Sequence, residues 1–306
     1  MRGGAAIVQA RLVRLLVLAL PCAWLLLFFL LPFLIVAKIA LSEPAVGIPP
    51  YAPILRWSEE RVLTLVLNLG NFAALAEDRF YLDAYLRSIR IAGVSALLCM
   101  LIGYPMAYAI ARAPEHRRNL LVMLVVLPFW TSFLLRVMAW IGLLGDQGVI
   151  NGLLLWLGLI GEPLRLLYTD AAVYLGIVYC YLPFMVLPLY ATLVKLDPAL
   201  IEAAADLGAR PWRAFLTITL PLSLPGLAAG GMLVFIPAIG EFVIPELLGG
   251  PAAQLAGRVL WVEFFQNRDW PMASALAVAL VLVLVVPIAA LQRLSATRGL
   301  GLRAGR

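Results

Sequence analysis

Six apolar runs dominate this sequence, and a helix needs roughly 20 apolar residues to cross a bilayer. Leu15 to Leu41 is the first, interrupted only by Lys38 near its end. Five more follow at 88–111, 119–144, 171–194, 222–247 and 272–292. A spanning segment must satisfy its own backbone polar groups, so such runs predict helices rather than open strands. The expected fold class is an all-α polytopic membrane protein with six transmembrane helices. Only 13% of the 306 residues are charged and 64% are hydrophobic, which excludes a soluble globular domain.

The first run follows a basic tail, residues 1–14, that carries Arg2, Arg11 and Arg14. A cleaved leader would have an apolar region of only about 7–15 residues, so 15–41 reads as a retained span. The connection 42–87 holds Pro44, Pro49, Pro50 and Pro53, then a patterned stretch from Asn68 that predicts short helices at the membrane surface. Leu153 to Ile160 is too short to span and reads as an interfacial or re-entrant segment.

Basic residues orient the spans. Thirteen Lys and Arg fall in the N-tail, the 112–118 loop, the 195–221 loop and the C-tail 293–306; seven fall in the longer connections 42–87, 145–170 and 248–271. Both termini and the 195–221 loop are therefore expected in the cytoplasm. The net charge of +6 reports this orientation rather than a nucleic-acid partner.

Several chemistries lack their parts. The two lysines, Lys38 and Lys195, sit outside any phosphate-cradling Gly-x-x-x-x-Gly-Lys-Ser/Thr loop, so no ATPase site is expected. Cys22, Cys99 and Cys180 lie inside apolar runs without a CxxC pair, and the one histidine, His116, sits in an Arg-rich loop. Neither a metal site nor an intramembrane enzyme is expected.

The most informative polar stretch is Glu202 to Pro221. Asp197 suits a helix cap and Pro198 a first helical position. Ala199 to Leu207 favours helix, Gly208 suits a left-handed turn, Pro211 restarts helix and Pro221 limits it. Glu202-Ala203-Ala204, three residues, Gly208, nine residues, then Ile218-Thr219-Leu220-Pro221 resembles the signature of permease subunits of bacterial ATP-binding-cassette importers. The stretches 129–140, 181–190, 240–250 and 257–271 resemble the putrescine/spermidine-type polyamine permeases, except that the loop 251–256 carries no charge.

That resemblance implies a type I importer permease (MetI-like) fold over 84–292, with a cytoplasmic coupling helix in the bacterial inner membrane. It implies that Glu202, Ala203, Ala204, Gly208, Ile218, Leu220 and Pro221 form the loop that docks on an ATPase. ATP and Mg²⁺ would then be bound on that separate ATP-binding subunit, present in two copies, with no cofactor in this chain. The implied partners are a second permease subunit, an extracytoplasmic solute-binding protein and membrane lipid. The implied cargo is a polyamine, putrescine ahead of spermidine, with another small solute as the alternative.

Charges inside apolar runs mark functional candidates. On a continuous helix Arg136 lies about 26 Å past Asn119 and Glu241 about 28 Å past Leu222, at ~1.5 Å per residue, which places both toward the outer end of their spans. The alternative is that each reaches the headgroups or that the two neutralise one another. Pro237, Gly240 and Pro245 interrupt the helix around Glu241, a common way to build a solute passage. Glu241 and Glu246, with Asp269, Trp261 and Trp270 in the following connection, are candidates for polycation contact or for docking the binding protein. A self-sufficient secondary transporter would need coupling-ion sites and usually internal repeats, and no repeat is visible.

Overall fold

The computed structural model describes residues 17–57 and 63–301, side chains at 57, 63 and 286–301 excepted. The expectations for the tail 1–14 and for the last five residues of the C-tail lie outside that description. In chain order the helices and strands are α1 (Val17–Ala40), β1 (Leu55–Trp57), β2 (Leu63–Leu65), α2 (Gly70–Glu77), α3 (Arg79–Arg112) and α4 (Glu115–Val126). Then come α5 (Phe133–Leu144), α6 (Val149–Trp156), α7 (Asp170–Leu193), α8 (Ala199–Asp206), α9 (Pro211–Ile239), α10 (Ala256–Trp261) and α11 (Trp270–Gly301). Among the described residues five stretches are long and apolar enough to cross a membrane: α1, α3, Phe133–Trp156, α7 and α9. A sixth apolar helix runs over Trp270–Val285.

The chain divides into two compact units. One comprises the described parts of Met1–Arg79 and Leu260–Arg306. In it α1 lies along α11, and the connection after α1 folds back on itself. The Asn71 amide donates to the carbonyls of Ala40 at 2.9 Å and Ser42 at 3.0 Å, which pins α2 to the end of α1. Strands β1 and β2 pair antiparallel, Leu55 opposite Leu65 and Arg56 opposite Thr64. Arg56 also pairs with Glu43 at 2.7 Å. This hairpin was hidden in the sequence among prolines and charges.

The other unit, Phe80–Val259, is built on α7 and α9. Their backbones approach closely because glycines face the contact: a Cβ on Gly230 would sit 2.9 Å from the Met185 carbonyl oxygen. Small residues at such contacts are how spanning helices gain packing where lipid offers no hydrophobic drive. Helix α3 joins the same core through buried Cys99, Tyr104 and Ala107, and Tyr104 and Ser223 share a hydrogen bond of 2.8 Å between their hydroxyls.

Several helix boundaries depart from the apolar runs. Helix α3 already begins at Arg79, so the last residues of the expected connection 42–87 are the start of a spanning helix rather than a separate surface helix. The run 119–144 is not one helix: α4 stops at Val126, a tight turn spans Leu127–Trp130, and Thr131 and Ser132 are extended before α5 begins. Pro128 supplies no N–H, and Thr131 bonds back to the Pro128 carbonyl through its hydroxyl at 2.8 Å, so local polar groups replace the helix ladder. The run 222–247 ends as helix at Ile239, and a π-turn follows at Pro245–Gly249. Pro221 does not limit its helix; α9 runs through it from Pro211. A π-segment at Phe215–Thr219 widens the coil just before the proline, where the missing N–H is tolerated.

Segment 153–160 contributes its first residues to α6, which is tied down by buried Asn151. Its amide donates to the carbonyls of Gly145 at 3.2 Å and Leu164 at 2.9 Å, and its oxygen accepts from the Leu164 N–H at 2.9 Å.

Replacing Gly230 with valine should therefore overpack the α7–α9 contact and cost about 1–3 kcal/mol. Gly231, where an added Cβ meets nothing within 4 Å, should accept alanine without loss. Thermal unfolding of the purified chain in detergent separates the two, and equal midpoints would refute the close-contact account.

Candidate functional site

The polar loop before α9 is closed by backbone geometry. The Asp197 carboxylate accepts from the Ala199 N–H at 2.9 Å, and α8 runs to Asp206. Gly208 then takes φ of +78°, in the left-handed region that favours glycine. Its N–H donates to the Ala205 carbonyl, and the Ala209 N–H donates to the Ala204 carbonyl, both at 2.9 Å. Those bonds satisfy carbonyls that a helix end otherwise leaves open.

Ala204 is buried, whereas Glu202, Ala203 and Gly208 are exposed, and Leu207 is 89% exposed. The loop thus presents two acids, Glu202 and Asp206, with small residues and one bare leucine on its open side. Ile218 and Leu220 are half-buried and Pro221 is exposed. Phe215, which the sequence reading passed over, anchors the restart: its ring meets Tyr104 at 5.4 Å and Tyr108 at 6.2 Å, both edge-on.

The second candidate lies where α9 ends. Glu241 is past the helix, in the break rather than within the span, and is 8% exposed. Its Oε1 accepts from the N–H of Val243 at 3.0 Å and of Ile244 at 3.4 Å, and its Oε2 accepts from the Tyr181 hydroxyl of α7. The carboxylate therefore caps the turn that restarts at Val243.

Arg136 is 9% exposed, with its guanidinium over Phe129 at 5.5 Å and Phe133 at 5.8 Å. Its Nε and Nη1 are buried and donate to no acceptor among the described residues. The expectation that distance along one continuous helix locates Arg136 fails, because Thr131 and Ser132 break that helix. No direct ion pair joins Arg136 to Glu241 among the described residues. Aromatic rings connect them instead. Phe129 meets Phe184 at 5.0 Å, Phe184 meets Tyr181 at 6.0 Å, and Tyr181 bonds to Glu241.

Glu246 pairs with Arg258 at 2.5 Å, and Arg258 also donates to the Gly250 carbonyl at 2.8 Å. Arg87 bonds to Asp170 and to the Ala252 carbonyl, and the Ser88 hydroxyl accepts from the Ala256 N–H at 2.8 Å. The uncharged loop 251–256 is held by these ties.

Trp261, Asp269 and Trp270 belong to the other unit. The Asp269 carboxylate caps α11 by accepting from the Met272 N–H at 2.9 Å. Trp270 stacks on Phe264 with centroids 4.9 Å apart, and Trp261 meets Phe265 at 5.5 Å. Trp270, Phe264 and Phe265 line a hollow of about 320 Å³ together with Gly47, Ile48 and Pro50. Among the described residues no group of His, Cys, Asp and Glu could hold a metal ion.

With the packed helix pair, the closed loop before α9 and the break after it described, the chain can be set beside known proteins. Residues 9–298 match the family described as "Binding-protein-dependent transport system inner membrane component". The chain belongs to that family. It is a multi-pass membrane permease of the ATP-binding-cassette importers, in the inner membrane.

This permease is 39% identical over 261 residues to the spermidine/putrescine transport system permease protein PotB of Salmonella typhimurium, covering 85% of this chain and 86% of that one. Against PotB of Escherichia coli K12 the identity is 38% over 261 residues, covering 85% and 90%. A molybdenum transport system permease, ModB of Mycobacterium bovis, is 31% identical over 229 residues, covering 75% and 84%. A solved bacterial ABC transporter involved in the import of the acidic polysaccharide alginate superposes with a TM-score of 0.70 at 18% identity, covering 97% of this permease and 99% of that chain. The last match shows the shared fold alone.

Proposed function

We propose that this permease moves a polyamine into the cytoplasm, putrescine ahead of spermidine. ATP is hydrolysed on two copies of a separate subunit, which bind ATP and Mg²⁺, and this chain holds no cofactor of its own. The observation that carries the reading is the identity of 36–39% over 85–88% of the chain with permeases named for spermidine and putrescine. The buried Glu241 among Tyr181 and Phe184 supports it: a carboxylate and aromatic faces replace the water an alkylammonium loses. Glu246 is committed to Arg258, which leaves one buried acid in the break and favours a dication over a longer trication. Arg136, buried beside the same aromatics, favours a second reading in which a small anion is carried. The match to a permease named for molybdenum supports that alternative too.

The remaining roles follow. A second permease subunit completes the pathway, and an extracytoplasmic binding protein delivers the solute. The aromatic hollow with Trp270, together with Trp261 and Asp269, serves that delivery face. The loop carrying Glu202, Ala203, Ala204 and Gly208 docks on the ATPase, with Ile218, Leu220 and Pro221 setting the return of the chain into the membrane. Both termini are cytoplasmic.

Glu241→Gln keeps size and removes charge. Uptake of labelled putrescine by the assembled importer should fall at least tenfold while ATP hydrolysis stimulated by the binding protein is retained. Loss of the stimulation would move Glu241 to docking, and no change in either would make it purely structural. Competition by unlabelled putrescine, spermidine and molybdate in the unaltered importer ranks the cargoes, and molybdate competing best would overturn the polyamine reading.

Gly208→Val puts a β-branched residue at positive φ, and Glu202→Lys reverses the exposed charge. Each should abolish uptake and co-purification of the ATPase while leaving the permease in the membrane. Normal assembly and uptake in both variants would remove this loop from coupling.

Orientation is tested with a membrane-impermeant thiol reagent on intact cells. Cysteine at Val46→Cys and Ala252→Cys should label, whereas His116→Cys and Ala205→Cys should not. Labelling of the last from outside would invert the topology.

A further inference from the structure

We propose that the hairpin of α3 and α4 holds one anionic phospholipid, with an acyl chain in an apolar groove and the headgroup phosphate on Arg112 and Arg117. The groove, about 320 Å³, is lined by Met106, Ala109 and Ile110 of α3 and by Leu121, Leu124 and Val125 of α4. That volume lies at the low end of ligand pockets, roughly 300–1,000 Å³. Leu101 and Ile102 on α3 and Leu120 and Met123 on α4 are exposed around it. In a membrane protein such a surface meets lipid chains.

The cations stand at the closed end of this hairpin. Arg112 follows Ile110 by two residues and Arg117 precedes Leu121 by four, so about one helical turn or less separates charge from groove on each side. Glu115 is the one acid between 112 and 118. Among the described residues no ion pair joins Arg112, Arg117 or Arg118 to a carboxylate.

The three arginines divide the work. Arg118 donates to the carbonyls of Ala111 and Ala113, each at 3.3 Å, and so offsets the negative end of α3. Arg112 lies over the Tyr108 ring at 5.4 Å, and Arg117 donates one N–H to the His116 ring at 3.2 Å. Both are exposed, and each keeps guanidinium donors for a phosphate. The α4 N-terminus opens at the same loop and favours an anion there.

Basic pockets between spanning helices are suited to anionic headgroups. A zwitterionic lipid brings an ammonium that the surplus positive charge repels. A second protein chain seated here would have to bury two arginines that lack acidic partners, which is costly. The site does not rest on the polyamine reading.

The full-length chain, purified in detergent, is titrated with phosphatidylglycerol or phosphatidylethanolamine of identical acyl composition, and bound lipid is counted by native mass spectrometry. Phosphatidylglycerol should be retained about tenfold more strongly. Arg112→Gln with Arg117→Gln should erase that preference, and Arg112→Lys with Arg117→Lys should keep most of it. Ala109→Phe, made at an exposed position, should fill the groove and lower retention of both lipids. Equal retention by the unaltered chain, or a preference that survives the double glutamine variant, overturns the headgroup site. Undiminished retention in Ala109→Phe overturns the acyl site, and if that variant instead blocks pairing with a second permease the groove is a protein interface.

Discussion

Glu241 holds together the place where this permease departs from regular helix. A backbone N–H without a partner in a bilayer costs several kcal/mol, and α9 stops at Ile239 with the chain still among apolar neighbours. One carboxylate takes the N–H groups of Val243 and Ile244 and the hydroxyl of Tyr181. With those donors satisfied, the chain turns, and Ile244 and Leu248 settle against Gly176 of α7. A Cβ on Gly176 would come within 2.7 Å of Leu248 and 2.8 Å of Ile244. The ties of Arg258 and Arg87 to the following loop become possible only once that turn is placed.

The same rule explains the other irregular points. Thr131 replaces a helix bond with its hydroxyl, Gly208 closes α8 through two backbone bonds, and Asn151 ties three backbone groups at once. Each break coincides with a residue that supplies the missing partner. These breaks therefore cost little stability, and they place Arg136 in the first turn after the break at 131–132 and Glu241 just past the end of α9, where it meets Tyr181 from the middle of α7.

Much of this was legible in the sequence, and the limits have physical causes. Length and apolarity reveal spans because the bilayer sets a minimum, and the turn at Gly208 shows because its residue type and neighbours are local. The break at 131–132 was hidden because Pro128 and two small hydroxyl residues sit inside an otherwise apolar run. Pro221 misled because a π-segment absorbs a proline without any composition of its own. The ring series from Phe129 through Phe184 to Tyr181 joins residues 52 positions apart, and no local pattern encodes such a contact. Residue type marked Asp269 and Trp270 as candidates for solute contact or binding-protein docking, and no local pattern revealed that they also serve as a helix cap and a stacked ring.

The prolines inside α7 and α9, at 183, 188, 221, 225 and 237, carry a consequence for how the membrane interior is solvated. Each withholds one N–H from the ladder, so one carbonyl per proline loses its usual donor. The carbonyl freed by Pro188 is that of Phe184, whereas the Pro188 carbonyl itself accepts from the Thr192 hydroxyl at 3.0 Å. A helix pair built this way contains oxygen dipoles with spare capacity and no formal charge. Such groups act as a fixed, weak solvent: they lend polarity to the membrane interior without titrating with pH.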